Sequence, residues 1–257
     1  GPAGLEAARV AAVRGHHVTL FEQGYELGGQ LAIAVRARNR LELGKLTGWL
    51  EWQIRQLGVE VRLGVEATPE LILSTDPDAV IVAVGSTPVT QTLAGQNGLP
   101  VIDVTDALCD LAKVGQRVIV LDDDRHYKAA GIAEYLADLN KDVTIITRSG
   151  ETGADIPTVS FAGLRVRLGQ KKIRALPFHD IARVEGHDVV AVDGFTRLEA
   201  TISDIDTIIF AGQNRSDGSL ARALLGRVPE LHVAGDCVAP RRALEAMREG
   251  HAAGRAV

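Results

Sequence analysis

Three short stretches carry residue types able to hold a nucleotide: Gly1-Pro2-Ala3-Gly4, Val84-Gly85 and Gly235-Asp236. The first opens a helix-like run, Leu5 to Arg14. A turn at Gly15-His16-His17 follows, then a strand-like Val18-Thr19-Leu20-Phe21 ending at Glu22 and Gln23. This is most of a nucleotide-binding β-α-β unit without its first strand. In a G-x-G-x-x-G fingerprint Gly1 takes the second glycine's place, where backbone must approach a pyrophosphate. Gly4 takes the third, where helix and strand meet closely. The helix N-terminus, with Pro2 and Ala3 in its first turn, offers N–H groups and a positive dipole end to phosphates. Glu22, at the tip of the second strand and about 20 residues on, is placed to accept ribose hydroxyls. An ordinary turn and helix would leave strand, spacing and terminal acid unexplained together. A Rossmann unit also needs a strand before Gly1, so residue 1 reads as a cut in a longer polypeptide.

The remaining elements must bring the other stretches to the same place. The 257 residues suffice for one large or two modest domains. Apolar residues at 46% and charged residues at 24% are ordinary for a globular protein, and the net charge of −5 argues against a nucleic-acid surface. No apolar run is long enough to span a bilayer, so no membrane partner is expected. Cys109 and Cys237 form no C-x-x-C pair and signal no metal site, which fits a reducing, cytoplasmic setting.

After Glu22 comes Leu27-Gly28-Gly29-Gln30, where paired glycines let backbone run close to a bound group and Gln30 can hydrogen-bond to it. Leu41 to Leu57 has helical spacing, with Trp49 and Trp52 read as core and edge packing. Asp78 to Pro88 contains a β-branched run suited to a buried parallel strand, with Val84, Gly85 and Ser86 at its carboxyl end. The pattern returns at Ile205–Gln213. Between the two, Gln116–Leu121, Ala129–Asn140 and Asp142–Arg148 form a second β-α-β pattern. Its turn holds Asp122-Asp123-Asp124, and carboxylates repel a pyrophosphate. Those acids suit a ribose, a loop of a further domain, or simply an exposed turn. Arg148 ends the second strand, where a basic residue can meet a 2′-phosphate, but a solvated strand end is the better explanation of a single arginine. Val159 to Asp206 reads as a small antiparallel sheet that includes Leu164–Leu168. Leu231–Ala234 is a short strand ending in Gly235-Asp236, with a helical pattern from Arg241 onward. Gly1, Gly85, Gly212 and Asp236 are thus expected along one sheet edge. No catalytic acid or base stands out: His16, His17, His126 and His251 lack a recognisable partner.

The order Gly-Pro-Ala-Gly, Glu22, Leu-Gly-Gly-Gln, Val-Gly-Ser, Phe-Ala-Gly and Val-Ala-Gly-Asp resembles the flavoproteins with two dinucleotide-binding domains. Leu27–Leu31, and Gly235–Arg242 with the later Glu249-Gly250-His251, are similar to the C-terminal half of old-yellow-enzyme-type NADH:flavin oxidoreductases. That group includes 2,4-dienoyl-CoA reductase and the trimethylamine, dimethylamine and histamine dehydrogenases. The resemblance implies an α/β fold of two Rossmann-like domains, the second inserted in the first. Residues 1–106 with 207–257 would bind FAD, or ADP alone, and 107–206 would be NAD(P)-binding-like. It implies contacts to the ADP moiety from Gly1, Pro2, Ala3, Gly4, Glu22, Gln23, Gly29 and Gln30. Val84, Gly85, Gly235 and Asp236 would line the flavin side. An FMN barrel with a 4Fe-4S cluster would precede this region in the same polypeptide, and an oligomer is compatible with it. The expected activity is electron transfer between NAD(P)H, FAD and that upstream FMN/iron–sulfur domain. The Asp-rich turn resembles the amine-dehydrogenase branch instead, which implies the alternative of an ADP-binding structural module without NAD(P)H chemistry.

Overall fold

The computed structural model describes residues 1–257, the side chain of Arg38 excepted. It groups into two compact units: Gly1–Val35, Leu41–Thr87 and Asn214–Val257 form unit 1, and Arg36–Arg40 with Pro88–Gln213 form unit 2.

Unit 1 begins with α1 (Pro2–Val13), β1 (Thr19–Glu22), α2 (Gln30–Ala34), α3 (Leu43–Gln56) and β2 (Glu60–Leu63). It continues through α4 (Pro69–Ser74), β3 (Ala79–Val82) and the two-residue β4 (Ser86–Thr87). Unit 2 then runs β5 (Val101–Asp103), α5 (Val104–Cys109), β6 (Arg117–Asp122), α6 (Tyr127–Asp138) and β7 (Asp142–Thr147). Next come α7 (Thr158–Gln170), β8 (Arg174–Leu176), β9 (His179–Glu185), β10 (Asp188–Asp193), β11 (Glu199–Ile202) and β12 (Thr207–Ala211). The chain returns to unit 1 with β13 (Arg215–Ser216), α8 (Ser219–Leu224), β14 (Glu230–Val233) and α9 (Ala243–Ala256).

In unit 1, β1 pairs with β2 and β3 with β14, both in parallel. Helix α1 lies against β1, β3, α3 and α9. Its sequence explains that central position. Pro2 occupies the first helical position, where its fixed φ suits a helix start, and alanines favour the helix. Ala3, Ala7, Ala8 and Ala11 are buried with Leu5 and Val10. Small residues on both sides let α9 approach: a Cβ at Gly250 would sit 2.2 Å from the Ala3 carbonyl oxygen, and one at Gly254 2.6 Å from that of Ala7.

Unit 2 has a five-stranded parallel sheet in the order β5-β12-β6-β7-β8, and an antiparallel β11-β10-β9 sheet. Alternation along β6 sends Val118 and Val120 to a core with Ala129, Ile132 and Leu136 of α6. Ile119 and Leu121 face the other way, packed with Ile181, Val189 and Ala191.

Three readings differ from this structure. Ile205–Gln213 was expected to return to the first domain, yet β12 pairs with β5 and β6 inside unit 2. All five of its residues are buried, as a central parallel strand requires. The units therefore depart from the expected limits of 106 and 207 at β5 and β12. Leu164–Leu168, expected as a strand, lies within α7: Phe161, Leu164 and Leu168 recur at helical spacing and meet Ala130 and Ile156. Trp49, expected in the core, is 45% exposed, with the Arg9 guanidinium 5.5 Å from its ring centre. Among the described residues no helix is long and apolar enough to cross a membrane.

Candidate nucleotide-binding site

The site is built around the start of α1. The first backbone bond of that helix runs from Leu5 N–H to Gly1 C=O at 3.1 Å, and no side chain caps its N-terminus. Helices α2, α3, α6, α7 and α8 are likewise without a side-chain cap, whereas α4 is capped by Thr68, α5 by Asp103 and α9 by a capping box. What sets α1 apart is the two glycine turns that run against its start. Helix α1 thus keeps its first N–H groups available for an anion.

Two loops converge on that end. Gly29 has φ 55°, and a Cβ there would lie 2.8 Å from Gly1 Cα, so only glycine allows the loop after β1 to run against Gly1. Gly235 has φ 77°, and its Cβ would fall 2.7 Å from that of Ala3. Gly4 completes the approach on the strand side, its Cβ position 3.4 Å from Ala83 just beyond β3. The carboxyl ends of β1, β3 and β14 therefore meet at the first turn of α1.

Glu22 ends β1. Its Oε1 accepts from Gly24 N–H at 2.9 Å, and its Oε2 lies 3.8 Å from the Gly1 backbone nitrogen. Gln23 follows and is exposed. Gln30 reaches across to the other strands, its Nε2 donating to Ser86 Oγ at 2.8 Å and to Asp236 Oδ2 at 3.1 Å. Ser86 donates to the same Asp236 oxygen at 3.1 Å and accepts from Asn214 Nδ2 at 3.1 Å. Asp236 Oδ1 accepts from Arg241 N–H at 3.2 Å. Val84 is exposed beside Gly85, whose carbonyl accepts from Asp217 N–H at 3.3 Å. Glu249 of α9 holds the Gly235 turn by accepting its N–H at 2.8 Å, and it is itself ion-paired with Arg241.

Ser86 as a hub, Asn214 and Glu249 were missed by sequence reasoning. Glu249 had one local signal, its place in Glu-Gly-His. Gly212, expected on the same rim, belongs to unit 2. Cys237 is buried against Val82, burial pushes its thiol up, and its one S–H has the carbonyl oxygens of Ala234 at 3.1 Å and Val82 at 3.3 Å as acceptors. His251, thought partnerless, lies 2.9 Å from buried Glu6. No cluster among the described residues could hold a metal ion.

The comparable end of unit 2 is filled by its own acids. Asp122 is buried rather than exposed at a turn, accepting N–H bonds from Arg125 and Gly153 at 3.0 Å each, and burial pushes its carboxyl up. Asp124 Oδ2 accepts from Lys128 N–H in the first turn of α6 at 3.3 Å. Arg148 pairs with Asp123 and Asp180, each at 2.9 Å. Unit 2 also has a hollow of about 500 Å³ lined by Arg148, Phe178, Asp180, Phe195 and Arg197. A second, of about 300 Å³, is lined by Arg117, Asp142 and Arg174, the first residues of β6, β7 and β8. That is the edge opposite the one where open α/β sheets place ligands.

Two parallel-stranded α/β units, the second interrupting the first in sequence, define the class of two-domain FAD/NAD(P)-binding proteins. The thioredoxin reductase of T. acidophilum shares this fold, with a TM-score of 0.71 at 18% identity over 99% of this chain and 94% of that one. A solved 2-naphthoyl-CoA reductase is closer, with a TM-score of 0.92 and 27% identity over 100% of this chain and 38% of that chain. A metal reductase of Desulforamulus reducens is 29% identical over 98% of this chain and 42% of its own length. An N,N-dimethylglycine/sarcosine dehydrogenase of Chromohalobacter salexigens is 33% identical over 75% of this chain and 29% of its own. No family model matches. The chain belongs with the C-terminal parts of the old-yellow-enzyme/trimethylamine-dehydrogenase-type oxidoreductases, and spans less than half the length of these relatives.

Proposed function

We propose that this chain is the nucleotide-binding region of a flavin-dependent oxidoreductase that moves electrons between NAD(P)H, FAD and an FMN/iron–sulfur portion of a longer polypeptide. One observation carries the reading: an uncapped helix N-terminus, a strand-end carboxylate and a set of hydroxyl acceptors meet within unit 1. This donor set fits an adenine nucleotide, with phosphates over Gly1–Gly4, ribose at Glu22, and the remainder toward Gly85, Gly235 and Asp236. A bound flavin would supply the redox chemistry. The chain's own residues bind, orient and screen, and among the described residues none of those at the rim is assigned a role as acid or base.

A second reading has specific support in unit 2. Asp124, ahead of α6, accepts the Lys128 N–H of that helix's first turn and sets a carboxylate where a pyrophosphate would be held. This favours an ADP-binding structural module like that expected of the amine-dehydrogenase branch. Denaturing the purified protein and identifying the released nucleotide separates the two. FAD, bleached by NADH or NADPH before denaturation, supports the reductase reading. ADP alone supports the structural one, and absence of both from protein titrated with either nucleotide contradicts each.

A further inference from the structure

Phe178 and Arg197 both line the hollow of about 500 Å³ in unit 2, and both hold a left-handed backbone, with φ of 59° and 62°. A phenylalanine rarely adopts that region, and such strain persists only where the surroundings impose it. Here they do. The Phe178 N–H donates to Ser149 C=O at 3.0 Å, and its own carbonyl accepts from Gly194 N–H at 2.7 Å. Gly150 makes room for the ring, since a Cβ there would fall 2.9 Å from Phe178 Cζ. Phe195 stands edge-on to it, with ring centres 5.2 Å apart. Its turn is anchored by Asp193 Oδ1, which accepts the N–H groups of Phe195 and Thr196 at 2.9 and 2.7 Å. Yet Phe178 is 41% and Phe195 78% exposed. Two apolar rings are thus held in place by strained and anchored turns and left facing water, where covering them would be favourable.

The hollow also has one open charge. Arg148 is spent on Asp123 and Asp180, and Asp180 Oδ1 accepts from Ile181 N–H at 2.9 Å. Arg197 is exposed, and among the described residues no carboxylate pairs with it. A guanidinium with unspent donors favours a carboxylate, and a further ring can join an edge-to-face pair. The volume lies in the range of small-molecule sites, about 300–1,000 Å³. We infer that this hollow binds a small planar aromatic acid, with its ring against Phe178 and Phe195 and its carboxylate on Arg197. The inference is independent of any nucleotide on unit 1.

Salicylate and its neutral counterpart salicylamide, titrated against the purified chain and followed by ligand-observed NMR, separate the two halves of the site. Salicylate is expected to bind saturably and about tenfold more tightly than salicylamide, the size of one hydrogen bond to a charged group. Arg197→Gln should abolish that difference while leaving salicylamide unchanged. Phe195→Ala should weaken both probes about fivefold, as loss of an aromatic contact does. Both side chains are exposed, so neither change removes core packing. No saturable binding, equal affinity for the two probes, or affinities unmoved by either variant would overturn the assignment. Displacement of salicylate by ADP would place the probe in unit 1, and displacement by NADP⁺ but not ADP would make the hollow one end of a dinucleotide site. Either result overturns it as well.

Discussion

Gly29 and Gly1 approach so closely that a Cβ on Gly29 would lie 2.8 Å from Gly1 Cα. The loop after the first strand and the start of the first helix are thereby held as one surface. Gly29→Ala must pay for both a positive φ and a backbone collision. The expected cost is about 2–4 kcal/mol, with weakened ADP binding. Gly58→Ala is the comparison: its φ is 72°, yet nothing lies within 4 Å of its Cβ position. It is expected to lose only about 1–2 kcal/mol and to bind ADP normally. Urea unfolding and calorimetric titration read the two effects, and equal costs would contradict the close approach.

A similar contrast tests the seat of α1 on α9. Gly250→Val would drive a side chain into the Ala3 carbonyl, 2.2 Å from its Cβ position. Overpacking of this kind costs about 1–3 kcal/mol. Gly48, exposed within α3, has nothing within 4 Å of its Cβ position. Gly48→Ala should stabilise by up to about 1 kcal/mol, since alanine is the better helix former. Thermal midpoints moving in opposite directions are the expected result.

Acid sensitivity is expected to run through Glu6. It accepts from Arg9 at 2.7 and 2.8 Å and lies 2.9 Å from His251 Nδ1. Burial pushes its carboxyl up, but the bonds from Arg9 and His251 outweigh burial and hold it below its ordinary value. A carboxyl depressed in the folded state stabilises above the unfolded value of about 4.3 and loses that contribution as pH falls through the lower folded value. Glu6→Gln should therefore be less stable at pH 6 and show a flatter decline between about pH 5 and 3. Urea midpoints across that range measure it, and an unchanged slope would exclude Glu6 as the source.

The parts legible in the sequence were those whose signal is local. Gly1, Gly4 and Glu22 lie within one helix and one strand, so spacing alone relates them. The family was legible for the same reason, through contiguous Leu-Gly-Gly-Gln and Gly-Asp-Cys-Val-Ala-Pro. Strand β12 was legible as a strand but not as a member of its sheet, because apolar runs do not name their neighbours. Leu164–Leu168 alternates over five residues, and only Phe161 and the buried Leu164 reveal the helical face. The Ser86 hub joins residues 56, 128 and 150 positions apart, which no spacing rule connects. Asp122 lies among acids that read as an exposed turn, and its burial follows from the N–H groups of Arg125 and Gly153 that fold around it.

Titration of the protein with ADP, in parallel with its Glu22→Gln and Arg148→Ala variants, tests the placement of the nucleotide most directly. Saturable one-to-one binding, weakened about tenfold by Glu22→Gln through loss of a charged acceptor and unchanged by Arg148→Ala, is the expected result. Binding that survives Glu22→Gln but is lost in Arg148→Ala would move the nucleotide to unit 2 and contradict the account.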